Sequence, residues 1–418
     1  MSWAGTVDPI SSERQLSQET VIDAPPGVAN GLELTWARRL WALLAATVWN
    51  LWCLGWLVLL LAVVTAIPVL QITVLGYLLF VAGRLAGGET LRHSLPGLTK
   101  AGQIGVIAAS LGLASLPIRM LVHWESVVAI IEPSSRAAVT LRMLAIFVSA
   151  LTTVYLWWAW VRGGRLWHFV WPEPMRFLRE VWRPETWSNT ADRIWEFAVS
   201  LRLPMLFWLG LRGAAGTLIW LLPAMLIMVV TRDGQRAVAG VIGVIALILL
   251  GYVLLTLPML QAHFAAEKRF RAMFQWRQVR RDLRYAPWSY AGAMFLTLVV
   301  LPLPLYLLKI EATPQEIAWL PCLIFVSFML PARIATGLAL RRCRRLRTAA
   351  DAGEETHRGQ TQRICTIVSR WTVRLLVAPA IVVVYLIVLG GSQYTSWDGV
   401  DTWVRQHALL VPVPFVGL

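Results

Sequence analysis

Long apolar runs alternate with short polar connections along this chain, and the alternation recurs eight times, at residues 41–66, 104–123, 140–161, 205–230, 237–258, 288–308, 317–338 and 372–391. A hydrocarbon layer about 30 Å thick is crossed by roughly 20 apolar residues in a helix. Lipid offers no partner to a free N–H or C=O, so each run is predicted to be a helix. The run Ile67–Val81 leaves an alternative open. It crosses as a ninth span and moves the N-terminus to the other side, or Pro68 bends one long helix that continues to Arg84. Eight spans is the preferred reading.

The connections carry patterns of their own. Between the third and fourth runs, Ile194, Phe197, Ala198 and Leu201 recur at helical spacing behind a Ser188–Thr190 cap, in a loop that holds Trp167, Trp171, Trp182, Trp187 and Trp195. This predicts an amphipathic helix lying at the interface, where indole rings favour the headgroup layer. The stretch Ala262–Tyr285 is too charged to cross. Its Phe270, Met273 and Phe274 are expected to face apolar surface while Lys268, Arg269, Arg271, Arg277, Arg280, Arg281 and Arg284 face anionic headgroups or a partner.

A five-residue word occurs twice: IPVLQ at Ile67–Gln71 and LPMLQ at Leu257–Gln261. After each come a helical stretch, a Leu-Pro or Ala-Pro step (Leu95-Pro96, Ala286-Pro287), a span, and a span containing IFVS that ends in basic residues. Internal duplication into two parallel four-helix halves accounts for this order. So does coincidence in a chain rich in Leu, Ile, Val and Pro. The boundaries follow as a disordered polar tail at 1–30, a first membrane half at 31–202 with its interfacial loop at 162–202, a second half at 203–391 with basic loops at 259–287 and 339–371, and a C-terminal tail at 392–418.

Composition agrees with the pattern. Apolar residues make up 57% of the 418 and charged residues 15%, whereas soluble domains hold roughly 45–50% and 25%. The net charge of +15 raises nucleic acid as a partner, but the arginines lie in short blocks beside the apolar runs, so no nucleic acid is expected. The connections after the first, third, fifth and seventh runs hold 3, 7, 7 and 8 basic residues, while both tails and the other three connections together hold 8. Positive charge is retained on the inner side, so the basic loops are expected in the cytoplasm. The first 30 residues lack the basic-then-apolar order of a cleavable signal peptide.

Candidate chemistry is sparse. Arg212 and Arg333 lie deepest in their runs and form a candidate intramembrane polar site for an anionic headgroup or solute. Arg119, Arg142 and Arg374 lie near run ends, where they reach water. No acidic residue falls within a run, which weakens an ion-coupled transporter reading. Cys53, Cys322, Cys343 and Cys365 form no CxxC pair, and the six histidines do not cluster. Glu354-Glu355-Thr356-His357 sits in a polar stretch read as a solvated loop. No catalytic or metal-ligating set and no cofactor is expected.

The residues Pro68, Gly76-Tyr77, Arg84, Gly88-Glu89 and Leu95-Pro96 resemble the first half of a family of uncharacterised prokaryotic multi-pass proteins, catalogued as domain of unknown function four-thousand-and-thirteen. Ala265, Phe270, Ala272 and Phe274 are similar to that family's later helix. Where the family carries acidic residues after its Leu-Pro, this chain has Gly97-Leu98-Thr99-Lys100. The resemblance implies an integral protein of the bacterial cytoplasmic membrane and no known reaction. The leading expectation is thus an all-α, non-enzymatic membrane component that binds anionic lipid or a membrane-protein partner. A transporter with a central path is second, and an intramembrane enzyme third.

Overall fold

The structure is a computed structural model that describes residues 36–67, 69–131, 135–162, 171, 173–231, 237–300, 319–352 and 360–393. The tail at 1–30, nearly all of the tail at 392–418, and the Glu354–His357 motif lie outside the described residues. The chain divides into two compact units, Met1–Asn50 and Leu51–Leu418. In the first, the described residues form the start of one helix; the rest of the architecture belongs to the second.

The described residues contain no strand. The helices are α1 (Trp36–Thr65), α2 (Leu70–Ala86), α3 (Leu91–Ser94), α4 (Leu98–Ile131), α5 (Arg136–Val161), α6 (Pro174–Glu180), α7 (Pro184–Ser200), α8 (Leu203–Thr231), α9 (Ala237–Glu267), α10 (Trp276–Leu283), α11 (Pro287–Phe295), α12 (Trp319–Asp351), α13 (Gln360–Thr372) and α14 (Ala378–Gln393). Wider π-type turns extend α11 to Val300 and join α13 to α14. Among the described residues seven helices are long and apolar enough to cross a membrane, which makes this an all-α, multi-pass membrane fold. Seven of the eight expected runs coincide with them. The sixth begins as α11, and its remainder lies outside the described residues.

The centre of the bundle is α2. Every residue from Thr73 to Ala86 except Arg84 is buried, and α2 packs against α8, α9 and α12. A helix surrounded on all sides has no polar face to display, which is why its sequence is apolar all round. The contact with α8 needs glycine on both sides. A Cβ on Gly76 would collide with the carbonyl oxygen of Leu206, and one on Gly210 with that of Ile72. Two helix backbones thus touch, the arrangement that small residues permit in membranes.

The repeated word behaves differently at its two sites. In the first, α1 stops at Thr65 and Val69 takes φ 72°, a steric outlier for a β-branched residue, before α2 starts. In the second, α9 runs unbroken through Pro258 to Glu267.

Two expectations about the polar connections change. The amphipathic helix α7 starts at Pro184, not at Ser188–Thr190, with proline in the first turn beside Glu185. Proline's fixed φ and missing N–H suit that position. The Ala262–Tyr285 stretch folds back on the bundle. Lys268 takes a left-handed conformation, a 3₁₀ turn covers Phe270–Phe274, and α10 follows. The apolar surface that Met273 meets is therefore the bundle itself, where it is fully buried, and its carbonyl accepts from Trp220 Nε1 at 3.1 Å.

Candidate functional site

Arginines from α10, α12 and α13 gather at one end of the bundle. Beneath them lies a buried polar network. Asp282, 1% exposed, accepts from Arg347 and lies 4.0 Å from Arg344. Arg344 also reaches Glu267 at 3.4 Å and the Nδ1 of buried His263 at 2.5 Å. Guanidinium can only donate, so Nδ1 accepts and the imidazole carries its proton on Nε2, which donates to Gln275 Oε1 at 2.9 Å. The network ties α10 and α12 to the end of α9.

Deeper, Arg333 donates to Gln261, whose Nε2 donates to Thr217 Oγ1 at 2.6 Å; Thr217 in turn donates to Gly213 O at 2.7 Å. Arg333, Gln261 and Thr217 are all buried. A buried charge is tolerated only when hydrogen bonded, and here the partner is the last residue of LPMLQ. Arg212 stands elsewhere. It is half-buried on α8, with its guanidinium 4.8 Å from the ring of Trp208 one turn back. The two arginines of the expected intramembrane site thus have separate partners.

Above the network, a cavity of about 590 Å³ opens between α9, α10, α11 and the α13–α14 junction. Its floor is apolar, from Leu255, Leu260, Val279, Leu283 and Tyr290. Its rim carries Arg280, Arg284, Arg370 and Arg374 with Trp276 and Trp371. Proline at Pro287 starts α11, and Tyr290 donates to Leu255 O at 3.0 Å, which fixes one wall. Arg370 Nε donates to Arg284 O at 2.7 Å and stacks on Tyr285, while Arg374 stacks on Trp371. Among the described residues no carboxylate pairs with any of the four rim arginines. An apolar floor under unpaired cations suits an amphiphile with a negative head.

The seven basic residues expected to act as one face are distributed over several surroundings. Arg280 and Arg284 rim the large cavity. Arg281 lines an adjoining one of about 450 Å³ with Arg347 and Asp351, and Lys268 lines a third that shares no residue with either. Arg277 stacks on its neighbour Trp276, and Arg269, just before the 3₁₀ turn, and Arg271, within it, are exposed. Sequence reasoning missed Arg370 and Arg374 as members of the rim, because they lie some 90 positions from α10 and only the fold brings them there. The signal for Gln261 was present in the repeated word. Lone His263 and Asp282 gave none. Among the described residues no group of three or more His, Cys, Asp or Glu is placed to hold a metal ion.

No curated protein and no solved structure matches the chain. A family model matches part of the chain: α8, α9, α10 and α11 lie inside the match with Arg280 and Arg284, whereas α12, Arg370, Arg374 and the Pro68–Pro96 stretch lie outside. Over residues 193–310 the chain matches the model of a family described as protein of unknown function (DUF4013).

Proposed function

We propose that this chain is a non-enzymatic component of the bacterial cytoplasmic membrane that holds an anionic phospholipid at its basic end, with the basic loops on the cytoplasmic side. The observation that carries the reading is the cavity of about 590 Å³ with an apolar floor and four arginines at its rim. Its apolar floor suits acyl chain, the arginines suit phosphate, and Trp276 and Trp371 suit the boundary between them. Each cation near an anionic surface contributes about 1 kcal/mol, and convergence on one cavity adds selection for a single headgroup. The alternation of basic connections along the sequence supports the orientation.

The test is native mass spectrometry of the full chain extracted in mild detergent, compared with Arg280→Ala/Arg374→Ala. The reading expects a phospholipid of negative headgroup retained in stoichiometric amount by the natural chain and lost from the variant at unchanged unfolding temperature. Equal retention by both, or a protein companion in place of lipid, would overturn it.

A further inference from the structure

A separate cavity of about 410 Å³, which shares no lining residue with the arginine-rimmed one, is formed by the end of α2 with the turn that follows it, the α7–α8 junction and the residue after α9, with Pro96 beside them. Arg84 and Glu89 line it from the first, Ser200 and Arg202 from the second, and Lys268 from the third. The backbone at two of these positions is unusual. Among the described residues four that are not glycine have positive φ, and two of the four are Arg202 at 51° and Lys268 at 55°. Both stand where a helix ends, α7 for Arg202 and α9 for Lys268. At such positions glycine fits without a Cβ penalty, and asparagine is the usual substitute because its short polar side chain bonds locally. A helix C-terminus attracts a cation, but it does so anywhere in the last turn and does not call for a left-handed arginine or lysine. The two cations that carry this penalty line one cavity.

The surroundings hold them in place. Among the described residues Glu89 is the single carboxylate lining the cavity, and its Oε2 lies 2.5 Å from Arg84 Nη2, so it orients that guanidinium. Arg341 donates to the carbonyl of Glu89 at 3.0 Å and fixes the turn. Lys100 hydrogen bonds to Ser200 Oγ and stacks on Phe197. Three cations against one carboxylate leave the cavity net positive, and Arg202, Lys268 and Ser200 are exposed to an incoming solute. Phe80, Met205 and Leu206 supply an apolar wall. Several donors converging from different elements suit the oxygens of phosphate, and the wall leaves room for the group esterified to it.

We propose that this cavity is a second anion site, which holds the phosphate of a phosphate ester between Arg84, Arg202 and Lys268. A soluble phosphate monoester and a phospholipid headgroup present the same chemistry, and the experiment separates them. Delipidated full-length protein in mild detergent is titrated calorimetrically with glycerol 3-phosphate and, separately, with short-chain phosphatidylglycerol. The variants are Arg202→Gly and Lys268→Gly, because glycine relieves the left-handed backbone and so leaves the fold at least as stable by thermal unfolding.

Loss of one charged hydrogen bond weakens binding about tenfold or more, and that is the expected effect of either variant. The lipid titration is made in the Arg280→Ala/Arg374→Ala background, which removes the phospholipid held by the arginine-rimmed cavity, so that the signal comes from this site. Binding of glycerol 3-phosphate identifies a soluble source; binding of the lipid alone identifies a headgroup. Affinity unchanged in both glycine variants, or absence of binding by either probe to the natural chain, would overturn the proposal.

Discussion

Helices α4 and α12 have the same mean hydropathy over their most apolar stretches, yet 11% of that stretch is buried in α4 and 56% in α12. α4 pairs with α5 and shows Leu113, Met120 and Ile130 to the surroundings. α12 packs on α2, buries Arg333 and Thr336, and holds Asp282 through Arg344 and Arg347. In lipid an apolar side chain gains little by leaving acyl chains for protein, so hydropathy does not decide which helices associate. Close backbone approach and hydrogen bonding decide it. The same division separates the two copies of the five-residue word: Gln261 is tied into the buried network, whereas Gln71 stands at the start of α2 with no hydrogen bond to its buried Oε1 among the described residues.

The comparison can be broken first by adding volume to the two kinds of helix. Gly76→Leu forces α2 away from Leu206 and is expected to cost ~3 kcal/mol or more, with loss of folded protein in mild detergent. The matched change in α4 is Gly112→Leu, where an added Cβ meets nothing within 4 Å. It is expected to stay within ~0.5 kcal/mol. Equal unfolding temperatures for the two variants would remove the distinction.

Next in size is Asp282→Ala, which leaves Arg344 and Arg347 without their buried acceptor. Because Arg347 is 38% exposed and regains water, the cost is set at ~2 kcal/mol rather than at the upper end for a buried pair. Thermal unfolding measures it, and an accompanying gain of proteolysis near 268–284 locates it. Gln261→Leu follows at ~1–2 kcal/mol, since Arg333 loses an acceptor inside the bundle. Arg212→Ala is the smallest of the set at ~0.5 kcal/mol, because only its stacking on Trp208 is lost. A larger loss from Arg212 than from Gln261 would show that the polar chemistry of the bundle lies on α8 and not on the α9–α12 contact.

How much of this was legible follows from the same physics. The long runs announced themselves because a membrane demands continuous apolar length, and seven of them returned as long helices. The role of α2 did not, since a helix buried on all sides and a helix facing lipid read alike in sequence. Its glycines, Gly76 and Gly83, were the available clue. The residues Tyr77, Arg84 and Glu89 that carried the family resemblance turn out to brace the α2–α4 connection: Tyr77 donates to Pro96 O at 3.0 Å, and Arg84 pairs with Glu89.

In Ala262–Tyr285 periodicity put Met273 on apolar surface but not on the bundle in particular, because the chain turns at Lys268, a left-handed position that periodicity cannot foresee in a lysine. Arg280 and Arg284 were within reach of sequence reasoning, while the opposing Arg370 and Arg374 were not. The rim exists only through the packing of α10, α11 and the α13–α14 junction around one cavity.

The most direct measurement is an experimental density map of the full chain in nanodiscs that contain phosphatidylglycerol. The account predicts an elongated density in the arginine-rimmed cavity, with its head between Arg280 and Arg374 and its tail along Leu255 and Tyr290. A cavity closed by its own side chains, or rim arginines paired with carboxylates of this chain such as Glu354 and Glu355, would contradict it.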